Sequence, residues 1–420
     1  MIEARRHARP LVGMALYGDL TFDSRVRREA TTLAGAGFDV TIACLAGDAQ
    51  AHDLPANVKV LVLRPATTAI LPGAANPFLG SDASRLTAMR RRFEWLRDYV
   101  RNLRAWGRLV IKASGPVDIW HAHDLTGLAA VAPIADSAIP LVYDSHELFL
   151  ETGTALRLPK VARSMLRAYE RRLISRASAV LTVNDALAAV LQANYHPMTI
   201  LAVHNCPDRW SPPRTRSRLL REAAGIPVES PVILYHGALS ANRGVEQLMD
   251  ALLEPGLEKA HLVLLGFGEM RDRYVTAAAD SRWADRVHVL HPVAPEELLP
   301  WIASADIGAM PIQPSTLNHR LSTPNKLFEC MAAGIPVVAS DFPPMRQIVT
   351  NDPDGAIGFV CDPTRVADVA AAIRSLVEAD TAAMDAYRGR CFAAAQARWN
   401  WDTQVAGMVS LYHDLARDIR

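Results

Sequence analysis

Short apolar runs alternate with amphipathic stretches along most of this sequence, and this alternation limits the fold more than any other feature does. Residues 11–17 form a continuous apolar run, as expected of a strand that is buried on both faces of a sheet. A helical pattern follows over 23–35. Further strands are predicted near 39–45, 58–64, 117–121, 140–144, 178–183 and 199–204. Strands separated by helices indicate an open parallel sheet with helices on both faces.

The alternation breaks over 205–229, a stretch with four prolines, and then starts again. Strands of the second half are predicted near 231–236, 261–265, 286–291, 306–310 and 335–339. Helices are predicted near 243–254, 269–279, 295–303, 324–333 and 365–378. A last amphipathic helix begins near Trp399 and could fold back over the first sheet.

The predicted fold class is therefore α/β, with two doubly wound, Rossmann-like domains. The first spans 1–207 and is completed by the C-terminal helix 399–420, and the second spans 208–398. A length of 420 residues suits two domains. Ligands of open parallel sheets bind at the carboxyl ends of the strands, so two such sheets facing across a cleft would bind ligand with the loops that follow their strands.

Composition narrows the function classes. Half of the residues are apolar and the net charge is +1, which excludes a disordered chain and disfavours a nucleic-acid-binding protein. Apolar stretches are shorter than the roughly 18 residues of a membrane span, and the N-terminus lacks a secretory cleavage pattern. Five scattered cysteines without a C-x-x-C pair favour a reduced, cytoplasmic protein.

The strongest chemical signal is the segment from Ser322 to Gly334. Thr323 is a good N-cap and Pro324 suits the first helical position. The amides at such a helix start, together with Lys326 in the first turn, would bind an anion. Glu329 lies one turn deeper, where a carboxylate could accept the ribose hydroxyls of a nucleoside diphosphate. The alternative is a capped helix with a surface pair of Lys326 and Glu329.

A second signal follows the first strand of the second half. Gly237 allows close approach to the backbone, and Arg243 stands at a helix start, where it could bind a diphosphate through two hydrogen bonds. An ordinary loop with a solvated arginine is the alternative. Gly266 and Gly268 are weak as a dinucleotide motif, because the third glycine is missing.

Polar residues also follow the strands of the first half. His121 and His123 alternate at a strand end, so we expect one of them to point into a site and the other into the fold. The next strand is followed by a further set that could line an acceptor site, namely Asp144, His146 and Glu147. Gly18 and Asp19 flank the loop after the first strand. The alternatives are structural histidines and, for Asp144, a helix N-cap.

These segments together resemble the donor and acceptor halves of the family 4 (GT4-like) retaining glycosyltransferases of GT-B fold. The likeness covers nearly the whole chain in the right order, and the segments that carry it are 23–29, 120–124, 143–148, 243–244, 266–269, 323–340 and 399–415.

The resemblance implies transfer of a sugar from a UDP- or GDP-sugar to a hydroxyl acceptor with retention, without a cofactor or metal and without a nucleic-acid partner. It implies a catalytic set of His123, Arg243, Lys326 and Glu329. The donor-binding residues it implies are Gly18, Gly237, Arg243, Gly266, Val293, Thr323, Pro324, Asn325, Lys326, Leu327 and Glu329. Its acceptor-side residues are Asp19, His121, Asp124, Asp144, His146 and Glu147.

Two positions depart from the family pattern. The family often has two acidic residues eight positions apart, and Leu321 stands at the first of them. Many members have an arginine where this chain has Ala238. These departures imply either a different set of contacts to the donor or impaired catalysis. His319 and Arg320 could supply replacement donors to the sugar or the phosphate.

Three other functions fit parts of the sequence. A metal-dependent hydrolase could use His121, His123 and Asp124 with His146, and it predicts bound zinc. A non-catalytic sugar-nucleotide-binding partner protein is suggested by the two departures. A sugar-nucleotide epimerase could share the same architecture.

A basic run lies in a predicted helix over 157–176, and it contains Arg157, Lys160, Arg163, Arg167, Arg171, Arg172 and Arg176. Such a helix could hold the protein at the inner face of an anionic membrane. The alternative is a solvated face on which Glu170 compensates part of the charge.

Overall fold

A computed structural model describes residues 9–50, 53–65, 85–213, 216–283 and 285–419. The chain divides into two compact units. The first comprises residues 1–203 with 405–420, and the second comprises residues 204–404.

In the first unit, one parallel sheet is covered by helices. Its strands are β1 (Leu11–Asp19), β2 (Asp39–Ala46), β3 (Val58–Val62), β4 (Ile119–His123), β5 (Leu141–Ser145), β6 (Ala179–Thr182) and β7 (Ile200–Ala202). Its helices are α1 (Ser24–Gly35), α2 (Arg85–Ser114), α3 (Asp124–Val131), α4 (Gly153–Leu156), α5 (Lys160–Ile174) and α6 (Asp185–Tyr195).

The strand order of this sheet is β3-β2-β1-β4-β5-β6-β7. The order reverses direction between β1 and β4, where Leu16 lies opposite His123 in the register. His123 in turn lies opposite Asp144 of β5. A crevice forms at such a switch point, outside the carboxyl ends of the strands. The topology therefore brings the predicted acceptor-side residues of β4 and β5 to one edge.

The second unit repeats the plan. Its strands are β8 (Val232–Ala238), β9 (His261–Phe267), β10 (Val287–Leu290), β11 (Ile307–Met310), β12 (Val337–Ser340) and β13 (Gly358–Cys361). Its helices are α7 (Leu219–Ala224), α8 (Val245–Ala251), α9 (Arg271–Ala278), α10 (Leu298–Ile302), α11 (Leu317–Arg320), α12 (Asn325–Ala332), α13 (Pro343–Val349), α14 (Val366–Val377) and α15 (Thr381–Ala397). The strand order is β10-β9-β8-β11-β12-β13, and the paired strands are parallel.

The last helix, α16 (Trp401–Asp418), starts in the second unit and ends in the first. Its Tyr412 is buried against Phe38, with the two rings edge to face, and lies 2.6 Å from His121 Nδ1. The prediction of two Rossmann-like domains and a helix that returns to the first is confirmed. Among the helices of the described ranges, none combines the length and the apolarity that a bilayer crossing requires.

Candidate functional site

Helix α12 provides the predicted anion site of the second unit. The helix begins at Asn325 with Pro324 as its N-cap residue, so the prediction of Thr323 as N-cap is wrong by one position. The reason is that Pro324 has an extended ψ of 144°, outside the helical range. Thr323 is buried, and Leu327 packs its side chain into the core while its amide donates to the Pro324 carbonyl oxygen.

Lys326 lies half-buried in the first turn of α12. Its ammonium lies 3.7 Å from the centre of the Tyr235 ring, which is buried at the end of β8. Burial, followed by the charge of Arg243, lowers the pKa of Lys326 to about 7, although Glu329 opposes the shift. Two cations therefore approach each other at the start of one helix.

Arg243 stands next to a glycine whose backbone lies very close to another backbone segment. Its guanidinium Nε donates to Ser240 Oγ at 3.1 Å. The next residue, Gly244, has a φ of +79°, and a Cβ there would lie 1.9 Å from the Pro311 carbonyl oxygen. Only glycine fits so close to another backbone in this conformation, so the Arg243-Gly244 pair is a local structural requirement as well as a motif.

Glu329 does not form the surface pair with Lys326 that the alternative interpretation required. Its Oε2 lies at hydrogen-bond distance, 2.8 Å, from His236 Nε2, and both side chains are largely buried. Since His236 ends the buried part of β8, it orients the carboxylate from the neighbouring strand.

Two predicted glycines of the donor side pack backbone to backbone. A Cβ on Gly266 would lie 1.9 Å from the carbonyl oxygen of Gly237, and Gly237 itself has a φ of +94°. These two residues are register partners in β8 and β9. Val293, in the loop after β10, is half-buried and packs against the core beneath α12.

The positions that depart from the family pattern lie in two loops. Leu321 follows the short helix α11, and Ala238 ends β8 with an exposed side chain. His319 contacts Ser315 Oγ at 2.8 Å, and burial together with the charge of Arg243 lowers its pKa. His319 therefore lies near enough to Arg243 to feel its charge. Arg320, in contrast, is exposed.

A buried network occupies the edge of the first sheet. Arg25 of α1 donates to both carboxylate oxygens of Asp144, at 2.8 and 2.9 Å, and its Nε lies 3.1 Å from Glu29. Burial would lower the pKa of Arg25, but the charges of Asp144 and Glu29 raise it. Burial, followed by the charge of Asp144, raises the pKa of Glu29 well above its ordinary value, although the charge of Arg25 opposes the shift. Burial raises the pKa of Asp144, but Arg25 and His146 bring it well below its ordinary value.

His121 and His123 lie on the same face of β4, with their rings stacked 4.2 Å apart and both fully buried. The expectation that one points into a site and the other into the fold is wrong, because side chains two residues apart on a strand point the same way. Burial and the neighbouring His123 lower the pKa of His121 well below its ordinary value.

His146 joins the network from the loop after β5. Its Nε2 lies 3.0 Å from Asp144, and its backbone amide donates to Asp124 Oδ1 at 3.2 Å. Although burial lowers it, the charges of Asp124 and Asp144 raise the pKa of His146 to about 10. Asp124 has a φ of +56°, a left-handed conformation that aspartate tolerates better than most residues.

Three other predicted residues lie at the margins of this edge. Asp19 ends β1, is exposed and accepts a hydrogen bond from the Thr21 amide. Gly18 precedes it inside the strand rather than in a loop. Glu147 is exposed, and its carbonyl oxygen accepts from Ser145 Oγ.

The network also has the composition of a metal site. Four buried side chains each offer an atom within 4.8 Å of the others, namely Glu29, His121, His123 and Asp144. The guanidinium of Arg25 already binds both carboxylates, however, and supplies the positive charge that they need. A divalent ion would have to bind beside this arginine, so the residues present fit the guanidinium better than a metal.

Two family models match the chain. The model described as "Glycosyl transferase 4-like domain" matches residues 23–206, and the one described as "Glycosyl transferases group 1" matches residues 230–379. This chain belongs to the family 4-like glycosyltransferases.

The relatives of this glycosyltransferase include enzymes that are described by different transfer activities. A D-inositol 3-phosphate glycosyltransferase of Xylanimonas cellulosilytica is 29% identical over 318 residues, which cover 72% of this chain and 73% of the relative. An alpha-D-kanosaminyltransferase of Streptomyces kanamyceticus is 26% identical over 272 residues, which cover 61% of this chain and 67% of the relative.

Solved structures agree with the fold. Sucrose-phosphate synthase of Thermosynechococcus elongatus has a TM-score of 0.71 at 18% identity and covers 98% of this glycosyltransferase and 100% of its own chain. HepE of Anabaena, solved in complex with UDP, has a TM-score of 0.70 at 18% identity. The match covers 96% of this glycosyltransferase and 100% of the HepE chain.

Sequence reasoning assigned no role to several residues that contact the predicted site residues. Arg25 and Glu29 were visible as a charged i, i+4 pair on an otherwise apolar helix face. Tyr235 and His236 were visible as polar-tipped side chains at the end of an apolar strand. Tyr412 had no signal beyond its place on an amphipathic helix.

Proposed function

We propose that this glycosyltransferase transfers a sugar from a UDP- or GDP-sugar to a hydroxyl acceptor, with retention of anomeric configuration and without a metal ion. In this proposal, the donor diphosphate binds between Arg243 and Lys326 at the start of α12. Glu329 accepts the ribose hydroxyls, and the base lies against the backbone near Val293. The acceptor binds on the first unit, near Asp124 and His146.

The convergence of Arg243 and Lys326 carries this proposal. Burial lowers the pKa of Lys326 most, and the charge of Arg243 lowers it further, as expected of two cations near each other. Within the described ranges, neither side chain forms an ion pair. Two cations and a helix N-terminus held together in this way suit a ligand with two negative charges close together, such as a diphosphate.

The chemistry follows from the same charges. As the bond between the sugar and the diphosphate breaks, negative charge grows on the leaving phosphate oxygen, and the two fixed cations stabilise it. In front-face retention, this oxygen accepts the proton of the attacking acceptor hydroxyl, so no carboxylate base is required. His236 would orient the Glu329 carboxylate for the ribose.

Ligand-induced stabilisation tests the donor site. A nucleotide at 100 times its dissociation constant should raise the free energy of unfolding by about 2.7 kcal/mol. We expect this increase with UDP or GDP and their sugars, and we expect Arg243→Ala and Lys326→Ala to remove it. Arg282→Ala is the matched control, because Arg282 is an exposed cation of the same unit that contacts Asp280 and the Trp283 ring. Unchanged shifts in both site variants would refute the donor assignment.

We also propose peripheral contact with an anionic membrane through α5. Val161 and Met165 are 73% and 70% exposed on one side of this basic helix. Exposed apolar side chains between cations are typical of interfacial helices. Vesicles with anionic lipid should therefore sediment the protein, zwitterionic vesicles should not, and Val161→Asn with Met165→Asn should reduce sedimentation. Equal sedimentation of the double variant and the original protein would contradict this contact.

A further inference from the structure

A cavity of about 330 Å³ lies in the first unit between α2, α3 and α5. Its volume falls in the range of small-molecule sites, roughly 300–1,000 Å³. The lining is mostly apolar or aromatic, and its members include Trp95, Tyr99, Leu103, Leu125, Phe149 and Leu166. Helices α2 and α3 approach most closely at Gly107, where a Cβ would lie 2.1 Å from the Ala130 carbonyl oxygen. The cavity lies on the N-terminal side of that approach on both helices.

The cavity borders the residues that we assign to the acceptor. Leu125 and Thr126 line it and directly follow Asp124, the first residue of α3. Phe149 also lines it and lies three residues after His146. Part of its lining therefore comes from segments that follow the polar residues at the ends of β4 and β5.

The rim of the cavity is cationic. Tyr169 lines the cavity and is 39% exposed. Burial raises the pKa of its phenol, and the charges of Arg104 and Arg172 oppose this shift. Arg104 follows the lining residue Leu103 on α2, and Arg172 lies one turn after Tyr169 on α5. Arg163 fixes the wall beside Phe149 by donating to the Leu150 carbonyl oxygen at 3.0 Å. An apolar cavity with a cationic rim is complementary to an amphiphile that has an apolar chain and an anionic head.

We propose that this cavity binds the apolar chain of an amphiphilic acceptor whose phosphate lies at the arginine rim. The proposal rests on the function proposed above and adds the class of acceptor. The chain lies between α2 and α5, the phosphate is near Arg104 and Arg172, and the hydroxyl that receives the sugar is near Asp124 and His146.

Binding of n-alkyl phosphates tests the cavity directly. We expect affinity, measured by calorimetry or Trp95 fluorescence below the micelle concentration, to increase about fourfold with each methylene from butyl to octyl phosphate. Inorganic phosphate should not bind measurably. Leu166→Ser should weaken octyl phosphate about tenfold. Met165→Ser is the matched control, because Met165 is the exposed neighbour of Leu166 outside the cavity, and it should have no effect without vesicles.

Two further measurements test the arginines at the rim and the role of the cavity in sugar transfer. Arg104→Gln should weaken octyl phosphate about fivefold and leave octyl glucoside unchanged. In a transfer assay with a detergent-dispersed lipid extract and the sugar nucleotide that stabilises the protein most, octyl phosphate should compete with the extract and not with the sugar nucleotide.

The outcomes separate this proposal from the proposed function, because the nucleotide shift depends on Arg243 and Lys326 in the other unit. A protein that is stabilised by UDP or GDP but shows no chain-length dependence would overturn the cavity proposal alone. Equal effects of Leu166→Ser and Met165→Ser would overturn it as well. Octyl phosphate binding without any nucleotide shift would instead refute the donor function.

Discussion

The ammonium of Lys326 lies 3.7 Å from the centre of the Tyr235 ring, at the first turn of α12. The face of an aromatic ring attracts a cation. Burial and, next, the charge of Arg243 lower the pKa of Lys326 to about 7, although the charge of Glu329 opposes the shift. In the unliganded protein, Lys326 therefore changes its charge near neutral pH.

The first prediction concerns the pH dependence of donor binding. A bound diphosphate favours the ammonium form, so binding above about pH 7 must take up a proton, and affinity should fall by up to about tenfold per pH unit there. A UDP-sugar is the right probe, because its diphosphate does not titrate near neutral pH. Calorimetry in two buffers of different ionisation enthalpy measures the affinity and counts the protons.

Lys326→Arg is the control for this prediction, since arginine stays charged throughout this pH range. Whatever the absolute affinity of this variant for the UDP-sugar, its affinity should not change with pH in this range. A flat profile in the original protein, with no proton uptake, would contradict the role of Lys326.

A second prediction concerns two glycines of the second unit. Gly244→Ala should lower the free energy of unfolding by about 2–4 kcal/mol and abolish nucleotide stabilisation, because a Cβ would lie 1.9 Å from the Pro311 carbonyl oxygen at a φ of +79°. Gly389→Ala, in the middle of α15, should raise it by about 0.5–1 kcal/mol, since a Cβ there meets nothing within 4 Å. Urea denaturation measures both. Similar stability of the two variants would contradict the steric argument.

Most of the fold could be predicted from the alternation alone, because burial on both faces leaves a readable pattern. In β8, Val232 and Leu234 pack into one core while Ile233 and Tyr235 pack into the other. Residues 232–235 are therefore all apolar or aromatic, and the strand was recognised. The alternation left out β13 (Gly358–Cys361) and also α15, whose small residues show little periodicity.

The site was harder to predict because its contacts join residues that are far apart in sequence. His236 and Glu329 are 93 positions apart, and Arg25 and Asp144 are 119 apart. Local patterns marked Glu329 and Asp144 as candidates. They could not identify the partners, since pairing depends on which strand ends the topology brings together.

The third prediction concerns Glu170, which was expected on a solvated face of α5 and is instead buried, with the Tyr195 hydroxyl donating to its carboxylate. Burial raises its pKa from the ordinary 4.5 to about 7. The folded state thus holds a proton that the unfolded state releases, so stability falls as pH rises from about 4.5 to 7. Glu170→Gln should raise the free energy of unfolding at pH 8 by about 1–3 kcal/mol and change it little at pH 4.5.

Urea denaturation at the two pH values measures this difference. Glu151→Gln is a useful control, because Glu151 is half-buried and paired with Arg163, so its loss should not stabilise the protein at pH 8. Equal stability of Glu170→Gln and the original protein at both pH values would show that Glu170 titrates normally.

The last prediction concerns the buried pair of Arg25 and Asp144. Removing either charge leaves the other buried without its partner, so Arg25→Met and Asp144→Asn should each lower the free energy of unfolding by about 3–5 kcal/mol. The double variant Arg25→Met/Asp144→Asn should cost clearly less than the sum of the two single variants, which a double-mutant cycle by urea denaturation would measure. Asp144→Asn should also bring the pKa of His146 down from about 10, because the charge of Asp144 helps to raise it. Proton NMR titration of the His146 ring follows this change, and additive costs with an unmoved His146 would contradict the coupling of the three residues.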